Sequence, residues 1–378
     1  MDNEKETAVV FPDGADANFT AGAKQTGNET PDTHSCASRY AKLYTNAEVN
    51  RLKIFKPSQS QQKEDRISNV ISFEQDDFVL RINNAVFDKD GKILIKDKRI
   101  CNRVLRISAH KLLDVCRMLF TNRVPYGKND SNPEIILSVE QYMELMGIPD
   151  TDASRKKAFR TMDEDMTTLS SIDIDILKEG MLNRLPGHTG IFDYWEPIQG
   201  GIIFRFSTKM SYRLKTSYVT YLHLDALKLD NRKAIEYRLA TKLVEHALMY
   251  SNQERGTANT ISMQTLLDAC PELPSVEEVS QRGESQYYQL LVSPLERGLN
   301  ALKNTYGILE DWKQCDAKGS GNKKKKDMGP IDDIKNGYIH FVLKNPPDLT
   351  DDIAVWREKK NLSKQTKTPR RKKTTKKE

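Results

Sequence analysis

One pattern of residues occurs twice in this sequence, and the duplication restricts the fold more than any other feature. The first copy contains Gly190-Ile-Phe-Asp-Tyr-Trp195, and the second contains Gly307-Ile-Leu-Glu-Asp-Trp312. Each motif is followed by an apolar run that begins with glycine, at 201–206 and at 337–342. Strand-like runs on both sides of a turn predict a two-stranded hairpin at the end of each copy. The tryptophan of each motif is expected to anchor its hairpin.

Helices are predicted before each hairpin. Ser138 and Ser262 can each cap a short helix, and apolar residues follow both serines at four, five and eight positions. Longer amphipathic helices are predicted next, over 153–169 and 286–304. Further helices, over 108–122 and 232–250, precede the two copies. Pro294 is expected to kink its helix or to start the main helical segment.

This order of elements is that of the winged-helix variant of the helix-turn-helix, in which the third helix reads the major groove. We therefore predict an α+β fold with two tandem winged-helix domains and disordered tails. The predicted divisions are a disordered acidic tail and linker over 1–65, a first domain with an N-terminal hairpin over 66–215, a second domain over 216–347, and a disordered basic tail over 348–378. An α+β repeat without DNA binding is the alternative.

Charge is concentrated at the ends of the chain. Residues 1–38 contain seven acidic residues and two lysines, whereas residues 361–378 contain eight basic residues and one acid. The formal net charge of +6 therefore arises from the last segment, and the remainder is near neutral. Concentrated positive charge favours a polyanionic partner, although a solubilising tail would have the same composition.

The helix predicted over 286–304 has a polar side of unusual composition. Tyr288 and leucines 291, 295, 299 and 302 are expected to pack inward. Solvent-facing helix positions usually carry Glu and Lys, whereas this side has no carboxylate. Arg pairs with guanine through two hydrogen bonds, and Asn or Gln pairs with adenine in the same way. The predicted base-reading residues are Gln286, Gln289, Ser293, Arg297, Asn300 and Asn304.

Lysines and arginines around both long helices are candidates for phosphate contacts, which fix the register without reading sequence. In the second copy they flank the helix or lie in a Gly- and Ser-containing wing; in the first copy they share a helix with the acidic run 163–165. The predicted backbone-contacting residues are Arg282, Lys303, Lys323, Lys324, Lys325, Lys326, Lys156, Lys157 and Arg160. Because the first helix has a mixed charge, we expect it to contact the DNA backbone or a protein partner, and we expect the second copy to supply most of the sequence specificity.

Residues for catalysis or metal binding are not recognisable. The sequence lacks a nucleotide-binding P-loop motif, its six histidines are dispersed, and its five cysteines form no C-x-x-C pair. Asp173 and Asp175 could bind Mg²⁺, but a solvent-facing side of a half-buried strand is favoured. We expect no enzyme activity, cofactor or metal. The acidic start and the lack of a long apolar run predict a cytoplasmic protein without a membrane segment.

Three segments resemble replication initiator proteins of plasmids and mobile elements, of the iteron-binding, tandem winged-helix type. They are Phe206-Ser-Thr-Lys-Met210, Tyr218-Val-Thr-Tyr-Leu-His-Leu224 and Leu266-Leu-Asp-Ala-Cys-Pro-Glu-Leu-Pro274. The resemblance implies binding of double-stranded DNA at repeated origin sites, recruitment of host replication proteins and a possible homodimer. It also implies that the second domain reads the repeat. A transcriptional autoregulator is the main alternative; a protein-binding scaffold and a nickase or primase are more distant ones.

Overall fold

Helices and antiparallel strands alternate along the chain, which confirms the predicted α+β class. The computed structural model describes residues 39–56, 60–65, 70–75, 78–83, 105–176, 190–281, 286–315, 334, 336–350, 352–354 and 357. The chain divides into two units, Met1–Ala37 and Ser38–Glu378, and every described residue lies in the second unit.

The strands are β1 (Tyr40–Thr45), β2 (Gln61–Asp65), β3 (Val70–Gln75), β4 (Phe78–Ile82), β5 (Ile135–Ser138), β6 (Ile172–Ile176), β7 (Phe192–Ile198), β8 (Gly201–Phe206), β9 (Tyr218–His223), β10 (Thr260–Ser262), β11 (Leu309–Cys315) and β12 (Tyr338–Leu343). The helices are α1 (Ala47–Ile54), α2 (Ile107–Arg123), α3 (Val139–Met146), α4 (Asp152–Ser170), α5 (Thr208–Thr216), α6 (Leu224–Leu227), α7 (Ala234–Leu248), α8 (Tyr250–Arg255), α9 (Met263–Asp268), α10 (Val276–Ser280) and α11 (Ser293–Asn304).

The predicted duplication is present as two sets of elements with one arrangement. The first repeat (107–206) runs from α2 to β8, and the second repeat (234–343) runs from α7 to β12. Each contains a three-stranded antiparallel sheet whose last strand lies in the middle, in the orders β5-β8-β7 and β10-β12-β11. The hydroxyls of Ser138 and Ser262 cap α3 and α9 by accepting hydrogen bonds from backbone N–H groups, as predicted.

The two hairpins share one irregularity that the sequence motif did not reveal. The pairing of β7 with β8 shifts between Phe192 and Tyr194, and that of β11 with β12 shifts between Leu309 and Asp311. These are equivalent positions in the two G-I-x-x-x-W motifs. A bulge of this kind bends a strand and increases its twist, so both hairpins leave the preceding helix in a similar way.

Within residues 1–65, predicted as a disordered tail and linker with a short helix at about 47–55, the structure has β1, α1 and β2. Helix α1 agrees with the predicted helix, whereas the two strands correct the prediction. Strand β1 pairs with β9 in antiparallel register from Tyr40 opposite His223 to Thr45 opposite Tyr218. Leu43 and Tyr44 are buried in this arrangement. The partner strand is remote in sequence, so the short segment around β1 has little local signal of its own.

The C-terminal boundary is also shifted. Residues 348–378 are predicted as a disordered tail, but Leu349 is buried and Asp352 pairs with Lys42 of β1 at 2.8 Å. The basic cluster at 364–377 lies outside the described residues. The same holds for residues 93–95, whose apolar run predicts the second strand of the N-terminal hairpin of the first domain. The first strand of that predicted hairpin, over 78–82, is β4, and it pairs with β3 and β6.

A buried polar cluster on α2 connects the first repeat to the elements around it. Asp114 accepts hydrogen bonds from Arg117 at 2.6 Å and from the Tyr237 hydroxyl of α7 at 2.6 Å, and Lys53 of α1 lies 3.0 Å away. The Arg117 Nε donates to the backbone oxygen of Tyr44 in β1 at 2.8 Å. Burial opposes ionisation of Asp114, but the charges of Lys53 and Arg117 outweigh it and lower its pKa. The cluster therefore joins α1, β1 and α7 to α2.

Candidate nucleic-acid interface

An irregular turn lies immediately before helix α11. Residues Tyr288–Val292 form a π-turn, and Pro294 lies in the first turn of α11. Proline has no N–H, so it cannot continue a regular ladder of helical hydrogen bonds. The prediction that Pro294 starts the main segment is confirmed.

Tyr287, and not Tyr288 as predicted, packs in the core before α11, and the π-turn is the reason. Tyr287 is fully buried and reaches the Val276 backbone oxygen at 3.3 Å, whereas Tyr288, predicted to pack inward, is 51% exposed. The wide turn holds one more residue than a regular turn, which rotates the preceding residues by one position. The four predicted leucines, Leu291, Leu295, Leu299 and Leu302, are all buried.

Close packing on α7 holds α11 in place. Gly298 faces α7, and a Cβ atom at this position would lie 2.7 Å from Leu239 Cδ1. The absence of a side chain therefore allows the two helices to approach closely. The opposite side of α11 consequently points away from the core.

The four predicted base-reading residues from Ser293 to Asn304 share that outer side, whereas Gln286 and Gln289 lie before and within the π-turn, which changes their direction relative to α11. Gln286, Gln289, Arg297, Asn300 and Asn304 are exposed, and Ser293 is half-buried. From Ser293 onward they follow one another at spacings of four, three and four, which keeps them on one face. The arrangement offers arginine and amide groups on a helix that lies next to a hairpin.

Each hairpin is fastened to the preceding long helix by its tryptophan. The Trp312 Nε1–H donates to Asn300 Oδ1 at 3.1 Å, and the Trp195 Nε1–H donates to Ser170 Oγ at 3.1 Å. These contacts confirm the anchoring role predicted for both tryptophans. Because its oxygen is engaged, Asn300 offers mainly its amide hydrogens, whereas a bidentate contact to adenine needs both ends of the amide.

Of the backbone-contacting residues predicted in the second copy, the structure describes Lys303. Its Nζ lies 2.7 Å from Asp311 Oδ1, and this hydrogen bond lowers the pKa of Asp311. Both side chains are exposed, so phosphate would compete with Asp311 for the lysine. Arg282 and the wing lysines Lys323, Lys324, Lys325 and Lys326 lie outside the described residues.

A carboxylate borders the outer face of α11, which corrects the expectation that this side has none. Glu296 is half-buried and precedes Arg297. Its Oε2 accepts a hydrogen bond from the Tyr288 hydroxyl at 2.8 Å, and this bond raises the pKa of Tyr288. The sequence does not predict this pair, because a regular helical projection places Tyr288 in the core. Pro294 is the sequence signal that could have indicated the altered register.

In the first repeat, the predicted residues Lys156, Lys157 and Arg160 are exposed on α4. Arg160 Nε lies 3.8 Å from Glu164 Oε1, one turn further along the helix. The face therefore combines basic residues at its N-terminal half with an ion pair near its middle.

The acidic run at 163–165, predicted to lie on that face, is partly exposed and partly buried. Glu164 is exposed, but Asp165 is fully buried. Burial raises the pKa of Asp165 to about 7, against smaller opposing effects of Ser108 and Arg106. The outer face of α4 is therefore less acidic than its sequence suggests.

The described part of the chain contains no group of three or more His, Cys, Asp or Glu side chains that could hold a metal ion. No helix within the described ranges is long and apolar enough to cross a membrane. A cavity of about 890 Å³ lies beside β1, α1 and β9, and none of the predicted DNA-contacting residues lines it.

Comparisons with known proteins give no family for this chain. No protein-family model and no curated protein matches it. Two crystal structures, of domains 2 and 3 of RctB and of a selenomethionine derivative of these domains, are similar at 10% and 11% sequence identity, each with a TM-score of 0.36. The alignments cover 79% of this chain and 94% and 98% of the RctB chains.

Proposed function

We propose that this protein is a replication initiator that binds double-stranded DNA sequence-specifically through the outer face of α11. The observation that carries the proposal is the grouping of Arg297, Asn300 and Asn304 on the exposed side of α11, whose other side is packed against α7. Arginine and amide side chains have the hydrogen-bonding groups that distinguish base edges in the major groove.

The order of elements supports the interpretation of both repeats as winged helices. In each repeat a short capped helix precedes a longer one, and an antiparallel hairpin follows. In this motif the longer helix enters the major groove, and the hairpin lies beside it as the wing. On this interpretation α11 and α4 are the two recognition helices.

The exposed side of α4 favours contacts to phosphate rather than to bases. Lys156, Lys157 and Arg160 supply positive charge, but amide side chains like those of α11 are missing from its predicted outer face. Basic side chains fix position on the duplex and add affinity that decreases with salt. We therefore assign most of the specificity to the second repeat and a supporting role to the first.

The role at an origin rests on the resemblance in the segments at 206–210, 218–224 and 266–274. Under this proposal the protein binds repeated sites, recruits host replication proteins and forms a homodimer, without catalysing a reaction itself. The lysines at 323–326 and the basic segment at 364–377 add affinity for the DNA backbone.

Binding to the DNA that surrounds the protein's own gene tests the proposal. We expect a fragment with direct repeats to be retained at two salt concentrations, and Arg297→Ala/Asn300→Ala to lose it. Arg232→Ala is the matched control, because Arg232 is 89% exposed and precedes α7. Uniform binding by the wild-type protein that disappears with salt would contradict the proposal.

The position of the bound sites separates the proposal from its main alternative. Tandem direct repeats that support replication of a small test replicon indicate an initiator. A single palindrome in a promoter, without replication of the replicon, indicates a transcriptional autoregulator.

A further inference from the structure

Tyr288 and Glu296 form an exposed pair along the edge of the face that contains Arg297. The Tyr288 hydroxyl donates to Glu296 Oε2 at 2.8 Å, and more than half of the Tyr288 side chain is accessible. Phosphate repels a negative charge. A carboxylate that an exposed tyrosine holds on a proposed recognition helix therefore needs a role other than binding the DNA backbone.

The π-turn makes this pairing possible. In a regular α-helix, residues eight positions apart differ by about 80° in direction, beyond two full turns. The wide turn at Tyr288–Val292 takes up one extra residue and brings Tyr288 into line with Glu296. The same turn places Tyr287 in the core. The packing of Tyr287 therefore fixes the backbone position from which Tyr288 reaches Glu296.

A fixed carboxylate at this position needs an amino donor in the major groove. Cytosine N4 and adenine N6 supply one, but the N7 acceptor beside N6 disfavours adenine. Cytosine presents its N4 amino group there as a donor, and Glu or Asp accepts from it. A carboxylate has about four acceptor positions, and the Tyr288 hydroxyl uses one of them. Because the tyrosine restricts the rotamers of Glu296, less conformational entropy is lost on binding than for an unrestrained side chain.

We propose that Glu296, positioned by Tyr288, selects a cytosine within one base pair of the guanine that Arg297 contacts. This inference rests on the proposed function of α11 and deepens it, since it names two bases of the site. Glu296 also rejects guanine and thymine, whose major-groove edges have no donor, and adenine, whose N7 acceptor would face the carboxylate.

Selection of sites from a random double-stranded DNA library by the full-length protein tests this inference. We expect the wild-type protein to enrich a motif with a constant C, and replacement of that C to weaken binding about tenfold or more. With Glu296→Gln the constant C should be lost and A enriched, because a glutamine amide matches adenine. Tyr288→Phe should keep C but reduce the discrimination several-fold.

Controls separate specificity from folding. Glu144→Gln removes the same charge from an exposed position on α3 of the first repeat and should leave the motif unchanged. Thermal unfolding of Tyr288→Phe should match that of the wild-type protein, because the phenol ring is exposed and only one surface hydrogen bond is removed.

The failures are distinguishable. If the wild-type protein enriches no motif, the proposed function itself fails. If it enriches a motif that Glu296→Gln leaves unchanged, the DNA-reading role of α11 stands and the role of Glu296 is overturned. If Tyr288→Phe discriminates as well as the wild-type protein, Tyr288 does not position the carboxylate.

Discussion

The two repeats share a framework and differ on the outer faces of their long helices. Both have a serine-capped short helix, a bulged hairpin and a tryptophan that donates to the preceding helix. Helix α11 presents arginine and amide groups, whereas α4 presents lysines and an Arg160–Glu164 ion pair. The comparison teaches that the buried residues give both repeats one framework, while the exposed residues of the long helices differ in charge and hydrogen-bonding groups.

The largest expected effect concerns the cluster on α2 that joins the first repeat to α7 of the second. Asp114→Ala leaves Arg117 buried without its carboxylate partner, and we expect a loss of roughly 3–5 kcal/mol in the free energy of unfolding. Urea denaturation, monitored by tryptophan fluorescence, measures this loss. Asp150→Ala, which breaks an exposed ion pair with Arg155, should cost less than about 1 kcal/mol. Equal effects of the two variants would show that the cluster does not join the repeats.

A pH-dependent stability should distinguish α4 from α11, whose buried residues are leucines and Gly298 and do not titrate. The raised pKa of Asp165 means that the folded chain keeps a proton which the unfolded chain releases near pH 4. Stability therefore falls as pH rises from about 4 to 7, and the penalty is complete above 7. We expect Asp165→Asn to be more stable than the wild-type protein by roughly 2–4 kcal/mol at pH 8, and similar to it at pH 4. Thermal unfolding at the two pH values checks this, and an equal difference at both would contradict it.

Sequence discrimination sharpens the comparison further. Arg297→Ala should reduce the preference for the selected site over random DNA by about 1–3 kcal/mol. Arg160→Ala should weaken binding to both kinds of DNA alike and reduce the slope of log K against log salt by about 0.9. Titrations of both variants at several salt concentrations supply these values. The division of labour is wrong if Arg160→Ala abolishes discrimination and Arg297→Ala preserves it.

The smallest expected effect tests whether the equivalent tryptophans have equivalent roles. Trp195→Phe and Trp312→Phe each remove one hydrogen bond to a helix, and each should cost about 1 kcal/mol in stability. Only Trp312→Phe releases Asn300, so it alone should change the base preference next to that residue. Thermal unfolding and site selection on both variants test this; a changed preference in Trp195→Phe would indicate that the first repeat also reads bases.

Much of the framework was predictable from sequence because its signals are local. The predicted helices over 108–122, 153–169 and 232–250 agree with α2, α4 and α7 to within two residues at each end. Apolar spacing, serine caps and the position of Pro294 act within a few residues of the chain, so they can be recognised without knowledge of the fold.

Tertiary structure decided the environment of residues whose partners are remote in sequence. Strand β1 is ordered by pairing with β9, and Asp165 is buried although it lies in an acidic run. The direction of Tyr288 depends on a π-turn that a regular helical projection does not contain. The sequence alone therefore determined which segments form helices and hairpins, because those preferences are local. Which polar side chains become buried, paired or exposed was decided by packing, because burial depends on residues that are distant along the chain.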